Sequence, residues 1–294
     1  MLPRGPLLFL ATGLQGVSLG SLLPAGFSPD TLIVLVLIVG VSGLMSGLSG
    51  FGFSAIGALC LWVLPPKLGV PLLMGLSTAN QLMSIGQLKA DMKPLRQWWP
   101  DGPGPYLLGG FAGVPVGLLI LHSVPTSSLM AVFGGFLVLY AVYSMLKPEN
   151  LRIAGRCNWL ASLFVGATGG IIGGFTAFPG AAVVVWTGLQ HLPKSESRAI
   201  VQPYILGLQL ISLAMLALQH PETFGRTYWS LLILTIPVVL PFTLLGVTLY
   251  RHLSDINFRR IAYVLLGTSG IGLLVKSAAA LATLGAVISA AHAN

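Results

Sequence analysis

Where this chain is most apolar, the side chains able to bond a ligand are uncharged. Ser46, Ser49 and Ser54 flank a glycine cluster, and Thr78, Asn80, Gln81, Ser84 and Gln87 follow on the next apolar stretch. Thr168, Thr176, Gln202, Tyr204 and Gln209 hold matching places later in the chain. Every carboxylate (Asp30, Asp91, Asp101, Glu149, Glu196, Glu222, Asp255) and every imidazole (His122, His191, His220, His252, His292) lies at or near the end of an apolar run. Hydrolytic or metal chemistry needs such groups to converge at one depth, so no catalytic residue, metal site or cofactor is expected. The same pattern speaks against a buried carboxylate relay of the kind found in many pumps. Cys60 and Cys157 have neither metal spacing nor a redox partner and read as packing residues. What remains is neutral hydrogen bonding by hydroxyls, amides and, wherever glycines interrupt a helix, backbone N–H groups. Singly, such groups bond a neighbouring helix for about 0.6 kcal/mol. As a set beside two helix breaks they suit a small oxyanion that must bind and then leave.

The elements that position these groups follow from composition. Of 294 residues, 55% are hydrophobic and only 7% are charged, against roughly 25% charged in soluble domains. That excludes a soluble enzyme, a disordered regulator and a nucleic-acid-binding module. The chain belongs in a lipid bilayer, and its net charge of +8 marks loops on one side of it. Charge-free runs cover residues 31–66, 68–88, 102–146, 157–193, 199–221, 227–250 and 261–275. A bilayer core needs about 20 helical residues, so run 102–146 holds two crossings, divided at His122-Ser123-Val124-Pro125. Runs 68–88, 199–221, 227–250 and 261–275 hold one each. Runs 31–66 and 157–193 would be roughly 55 Å long as single helices, so each is expected to break and fold back. Gly43, Gly47, Gly50, Gly52 and Gly57 crowd the first run, and Gly166, Gly169, Gly170, Gly173, Gly174, Pro179 and Gly180 crowd the second. Glycine and proline are the residues that least favour continuous helix, although Gly43 with Gly47 also fits close helix packing.

Segment order repeats: a long glycine-broken run, one crossing, a charged loop, then two crossings with a short polar turn between them. Gly50–Gly57 lies 123 positions before Gly173–Gly180, and Trp62 lies 124 before Trp186. The turns 126–128 and 255–257 keep an offset of 129. The reading is an N-terminal helix or extension over 1–30, a first transmembrane repeat over 31–150 and a second over 151–294. Charge decides the relative orientation of the halves. If each long run crossed once, the basic residues would divide 9 to 6; if each folds back, Lys89, Lys93, Arg96, Lys147, Arg152, Arg156, Lys194, Arg198, Arg251, Arg259 and Arg260 share one side, 11 to 4. Counting Leu7 to Leu23 as a retained helix, in preference to a signal peptide, makes the division 12 to 3. The positive-inside rule then favours inverted halves with those loops cytoplasmic. Trp98, Trp99, Trp159 and Trp229 stand at segment ends as interface anchors do.

The fold expected is thus an all-α polytopic membrane protein of two inverted repeats, each a Gly-rich broken helical hairpin plus three transmembrane helices. The expected substrate site gathers Ser49, Gly50, Gly52, Thr78, Asn80 and Gln81 opposite Gly173, Gly174, Thr176 and Gln202. Arg198, at the start of the crossing that carries Gln202, is the candidate gating cation, its plainer reading being a topology anchor. The stretch from Gly43 to Gly52 (GLMSGLSGFG) and that from Gly166 to Phe175 (GATGGIIGGF) with Pro179 make the chain resemble the sulfite exporter TauE/SafE family over residues 31–276. The resemblance implies a secondary transporter of the bacterial inner membrane that moves sulfite, sulfonates or related sulfur-containing or organic anions. Alternating access is the expected mechanism, with protons as the candidate coupling ion. A passive anion channel, or a membrane assembly protein without transport, are the alternatives; the first would leave a continuous water path and the second needs no central polar site.

Overall fold

The computed structural model describes residues 27–87, 94, 97–146, 158–190, 192–250, 264 and 267–282, and no strand occurs among them. Helix α1 (Pro29–Ser49) opens with Ser28, whose Oγ accepts from the amide of Thr31, and with proline in the first turn. It ends at Gly50, where φ is +83° and the amide returns to Ser46 O at 2.7 Å. A short α2 (Phe53–Gly57) continues as a 3-10 turn (Ala58–Trp62). Then come α3 (Pro66–Gln87), α4 (Gly104–Ser123) and α5 (Thr126–Leu146). The second half begins with α6 (Trp159–Thr176), capped by Asn158, and α7 (Gly180–Leu189). It goes on through α8 (Lys194–Gln219), a 3-10 turn (Pro221–Phe224), α9 (Arg226–Tyr250) and α10 (Gly267–Ala282).

Among the described residues six helices are long and apolar enough to cross a membrane: α1, α4, α5, α6, α8 and α9. Helix α3 has the length but is too polar to count with them, and its location explains why. Ser77, Thr78, Asn80, Gln81 and Ser84 are all buried, as are Val70, Leu72, Leu73, Met74 and Leu76, so α3 is enclosed by protein. The division expected at 122–125 is the turn between α4 and α5. The stretch Leu7 to Leu23, Gln87's side chain, Cys157, the turn 255–257 and most of the basic residues used to orient the chain lie outside the described residues. Cys60 is buried, in keeping with a packing role.

Both long runs break and fold back. Seven residues after Gly50, a Cβ on Gly57 would lie 3.6 Å from Ser42 Oγ, eight residues before Gly50. In the second run Val165, Thr168 and Ile172 of α6 line one apolar groove of about 320 Å³ together with Ala181, Val185 and Trp186 of α7. Each hairpin then packs on a helix of the other half. Gly43 and Gly47 of α1 lie against Val239 and Thr243 of α9, while Gly166, Gly170 and Gly174 of α6 lie against Tyr106, Gly110 and Gly117 of α4. Both contacts use glycines four apart to bring backbones together, where dispersion replaces the hydrophobic drive that lipid cannot supply. A side chain on Gly109 would overlap the carbonyl of Leu163. Gly109→Val is therefore expected to separate α4 from α6 and to lower the yield and melting temperature of detergent-solubilised protein, read by scanning fluorimetry. Gly135, with open space around it, is the control whose valine variant melts like wild type.

Helices α3 and α8 run antiparallel, as do α5 and α10. Gln81, near the end of α3, shares the Gly50 turn with Arg198 and Gln202, near the start of α8. Lys67, at the start of α3, shares a cleft with His220, just past the end of α8. Helices α5 and α10 meet with Ser277 Oγ bonded to Ser127 O at 2.8 Å, Gly134 against Gly270 and Gly267 against Ala141, an antiparallel order.

Candidate functional site

The first break is built by four residues of α1 and its turn. Ser49 Oγ donates to Met45 O at 2.8 Å and accepts the amides of Gly52 (2.9 Å) and Phe51 (3.3 Å). With the Gly50 amide on Ser46 O, all three amides of the turn are bonded internally. This corrects the expectation that the glycine turn itself presents free N–H groups: a hydroxyl one residue before the left-handed position captures them. Amides without an intrahelical acceptor belong instead to the next turn, Phe53, Ser54 and Ala55, which opens α2.

The second break repeats this geometry 127 positions on. Thr176 Oγ1 donates to Ile172 O at 2.6 Å and accepts the Phe178 amide at 3.1 Å, and Ala177, at φ +59°, returns its amide to Gly173 O at 2.8 Å. The counterpart of Gly50 is Ala177 and that of Ser49 is Thr176, so the offset of 123 read from glycine letters is corrected to 127. Glycine spacing misled because the left-handed residue of the second turn is an alanine, a conformation that costs a residue with a Cβ about 1–2 kcal/mol. On the following helices Gln81 Nε2 donates to Gly50 O (3.3 Å) and Gln209 Nε2 to Ala177 O (3.2 Å), an offset of 128.

From α8, Arg198 and Gln202 reach the first break. Arg198 Nη2 donates to Leu48 O at 2.9 Å, and a Cβ on Gly50 would stand 3.3 Å from Arg198 Nε and 3.4 Å from Gln202 Nε2. The guanidinium thereby sits at the C-terminal, electronegative end of α1. Behind the turn, Asn80 Nδ2 donates to Ser46 Oγ at 2.6 Å, and Asn80 Oδ1 accepts from Thr243 Oγ1 at 2.7 Å, tying α1, α3 and α9 together in a buried chain of bonds. At an offset of 128 the places of Arg198 and Gln202 are taken by Val70 and Met74, so the guanidinium's partner position carries no charge.

Of the expected set, Ser49, Gly50, Gly52, Asn80, Gln81, Gln202 and Arg198 come together at the first break. Thr176 belongs to the second, about 10 Å away as measured along α8 from Gln202 to Gln209. Thr78 bonds its own helix at Met74 O. Gly173 lies against Pro179, where an added Cβ would come within 2.5 Å of the ring, and Gly174 against Gly117; both are surfaces of close approach. Outside the expected set, Ser46 and Thr243 bond Asn80 at the first break and Gln209 bonds Ala177 O at the second. Ser46 and Gln209 stand out as polar groups in apolar runs, whereas Thr243 carries no signal, since a threonine bonded to its own helix, here at Val239 O, is ordinary.

Arg198 offers the first break a formal charge, and Gln202 and the first turn of α2 offer neutral donors, a set able to hold a monoanion without trapping it. At the other end of α8 an open cleft of about 510 Å³ is lined by Lys67, His122, His220, Glu222 and Tyr228. His122 and His220 stack there with centroids 3.7 Å apart, and His220 Nδ1 lies 3.0 Å from Glu222 Oε1. The Glu222 carboxyl is held below its ordinary range by its own backbone N–H and by His220. This contact therefore persists above the usual carboxylate range and is lost only as pH falls through the lowered value. No cluster of metal-ligating side chains occurs among the described residues.

One family model, described as Sulfite exporter TauE/SafE, matches residues 32–273. No curated protein and no solved structure matches the chain.

Proposed function

The chain belongs to the sulfite exporter TauE/SafE family, membrane transporters of sulfite-type anions, and from that premise we propose that it carries a small sulfur-containing or organic oxyanion by alternating access. It is a multi-pass membrane protein, and the bacterial inner membrane is the proposed location. The observation that carries the reading is the convergence of Arg198 and Gln202 on the left-handed turn at Gly50, inside a bundle of apolar helices. Gly50 closes the C-terminal end of α1, which of itself favours cations, so the donors an anion meets at this turn are the Arg198 and Gln202 side chains.

Two inverted copies, over 31–150 and 151–294, supply the proposed motion. The opposed directions of α3 and α8 and of α5 and α10 support inversion, as does the exchange by which each hairpin packs on the other half. Rocking of one hairpin with its partner helix against the α3–α8 pair would expose the Gly50 turn first to one side and then to the other. Protons are the proposed coupling ion.

Uptake of labelled sulfite, sulfate and a simple sulfonate into proteoliposomes, with and without a pH gradient, tests the proposal. Saturable uptake of at least one anion, stimulated by the gradient, is the expected result. Currents far above transporter turnover would indicate a channel instead. Asn80→Ala combined with Gln202→Ala is expected to lower uptake at least about tenfold, since the first leaves Ser46 and Thr243 without their buried partner at about 1–3 kcal/mol and the second removes a donor from the Gly50 turn. Unchanged cellular function in that double variant would favour an assembly role.

A further inference from the structure

Gln81 is buried and the orientation of its amide is fixed. Nε2 donates to Gly50 O, and turning the amide over would set two carbonyl oxygens against each other. Oε1 is therefore not the atom on the Gly50 carbonyl, and it is fully buried with no hydrogen-bond partner. Gln209 repeats the arrangement at the second break: Nε2 on Ala177 O, Oε1 buried and unpartnered. A buried amide oxygen without a donor is unfavourable, and two in equivalent places point to a built feature. Beside the same turn stand Arg198 and Gln202 Nε2, both donors, which suit an anion's oxygens. What Gln81 Oε1 lacks is a hydrogen.

We infer that Gln81 is a specificity-determining residue, selecting anions that carry an O–H group of their own over anions of the same charge and shape that offer acceptors only. The inference rests on the anion-transporter reading and names its substrate class: hydrogen-bearing oxyanions such as hydrogensulfite, and hydroxyalkyl sulfonates. Gln81 holds this role in preference to Gln209 because Arg198 stands beside the first break, whereas the positions matching Arg198 and Gln202 at the second are the uncharged Val70 and Met74.

Proteoliposome uptake of two matched pairs tests this: hydroxyethyl sulfonate against ethyl sulfonate, and hydrogensulfite against chlorate, a pyramidal monoanion without hydrogen. In whichever pair is carried, the O–H-bearing member should be favoured at least about tenfold in kcat/KM. Gln81→Met should bring that ratio to about one while the acceptor-only anion is still carried. Gln209→Met, which removes the equivalent bond to a turn carbonyl, should keep the ratio and controls for loosened folding. Equal handling of both members by the wild type, or collapse of the ratio in Gln209→Met as well, would overturn the inference and leave transport standing. If no anion of either pair moves, the transporter reading itself fails and takes this one with it.

Discussion

Replacing Gly50 by valine is expected to reduce anion transport below about a hundredth of wild type while the protein still reaches the membrane. Two costs combine. Gly50 sits at φ +83°, a conformation that costs a residue with a Cβ about 1–2 kcal/mol and a β-branched one more. Its missing side chain is also the space into which Arg198 Nε and Gln202 Nε2 project at 3.3 and 3.4 Å. A valine there pushes both donors off the turn, and a displacement near 1 Å at a binding site can cost about a hundredfold in rate. Gly50→Ala is the graded case: Ala177 holds the same conformation at the second break, so alanine should fold and lose only part of the activity. Transport assays paired with quantitative membrane immunoblots read both effects, and full activity in Gly50→Val would remove the first break from the site.

Arg198→Gln is expected to weaken the apparent affinity for anion at least about tenfold. A unit charge about 4 Å from an anion contributes about 4 kcal/mol at an effective dielectric constant near 20, so even a small part of it exceeds a factor of ten. The variant also loses the bond to Leu48 O at 2.9 Å. Arg198→Lys separates the site from topology. Lysine keeps the positive charge that orients the chain but lacks the planar fork that reaches Leu48 O and the turn together. If Arg198 acts on the anion, KM rises in both variants and orientation is unchanged, as read by accessibility of a terminal tag. A mere topology anchor would give the opposite pattern, with Arg198→Lys indistinguishable from wild type.

The breaks were legible because two independent constraints coincide: apolar runs too long for one crossing, and glycines massed at their centres. Asn80, Gln81 and Gln202 were legible as amides in stretches otherwise fit for lipid. Register between the halves was not, because letters record glycine while the turn requires a hydroxyl followed by a left-handed residue, and Thr176-Ala177 meets that need without glycine. For the same reason Gly173 and Gly174 read as amide donors although they are packing surfaces. A glycine's sequence context does not distinguish an exposed N–H from a close helix contact. Thr243 reaches Asn80 across 163 residues, and a contact of that span leaves no local pattern.

An oxyanion is expected at the Gly50 turn, between Arg198 and Gln202. Selenite, a close analogue of sulfite whose selenium scatters anomalously, can be located directly in crystals of the protein. The expected result is an anomalous peak within hydrogen-bonding reach of Arg198 and Gln202, absent in Gly50→Val. A peak confined to the cleft of Lys67 and His220, with none at the turn, would contradict it.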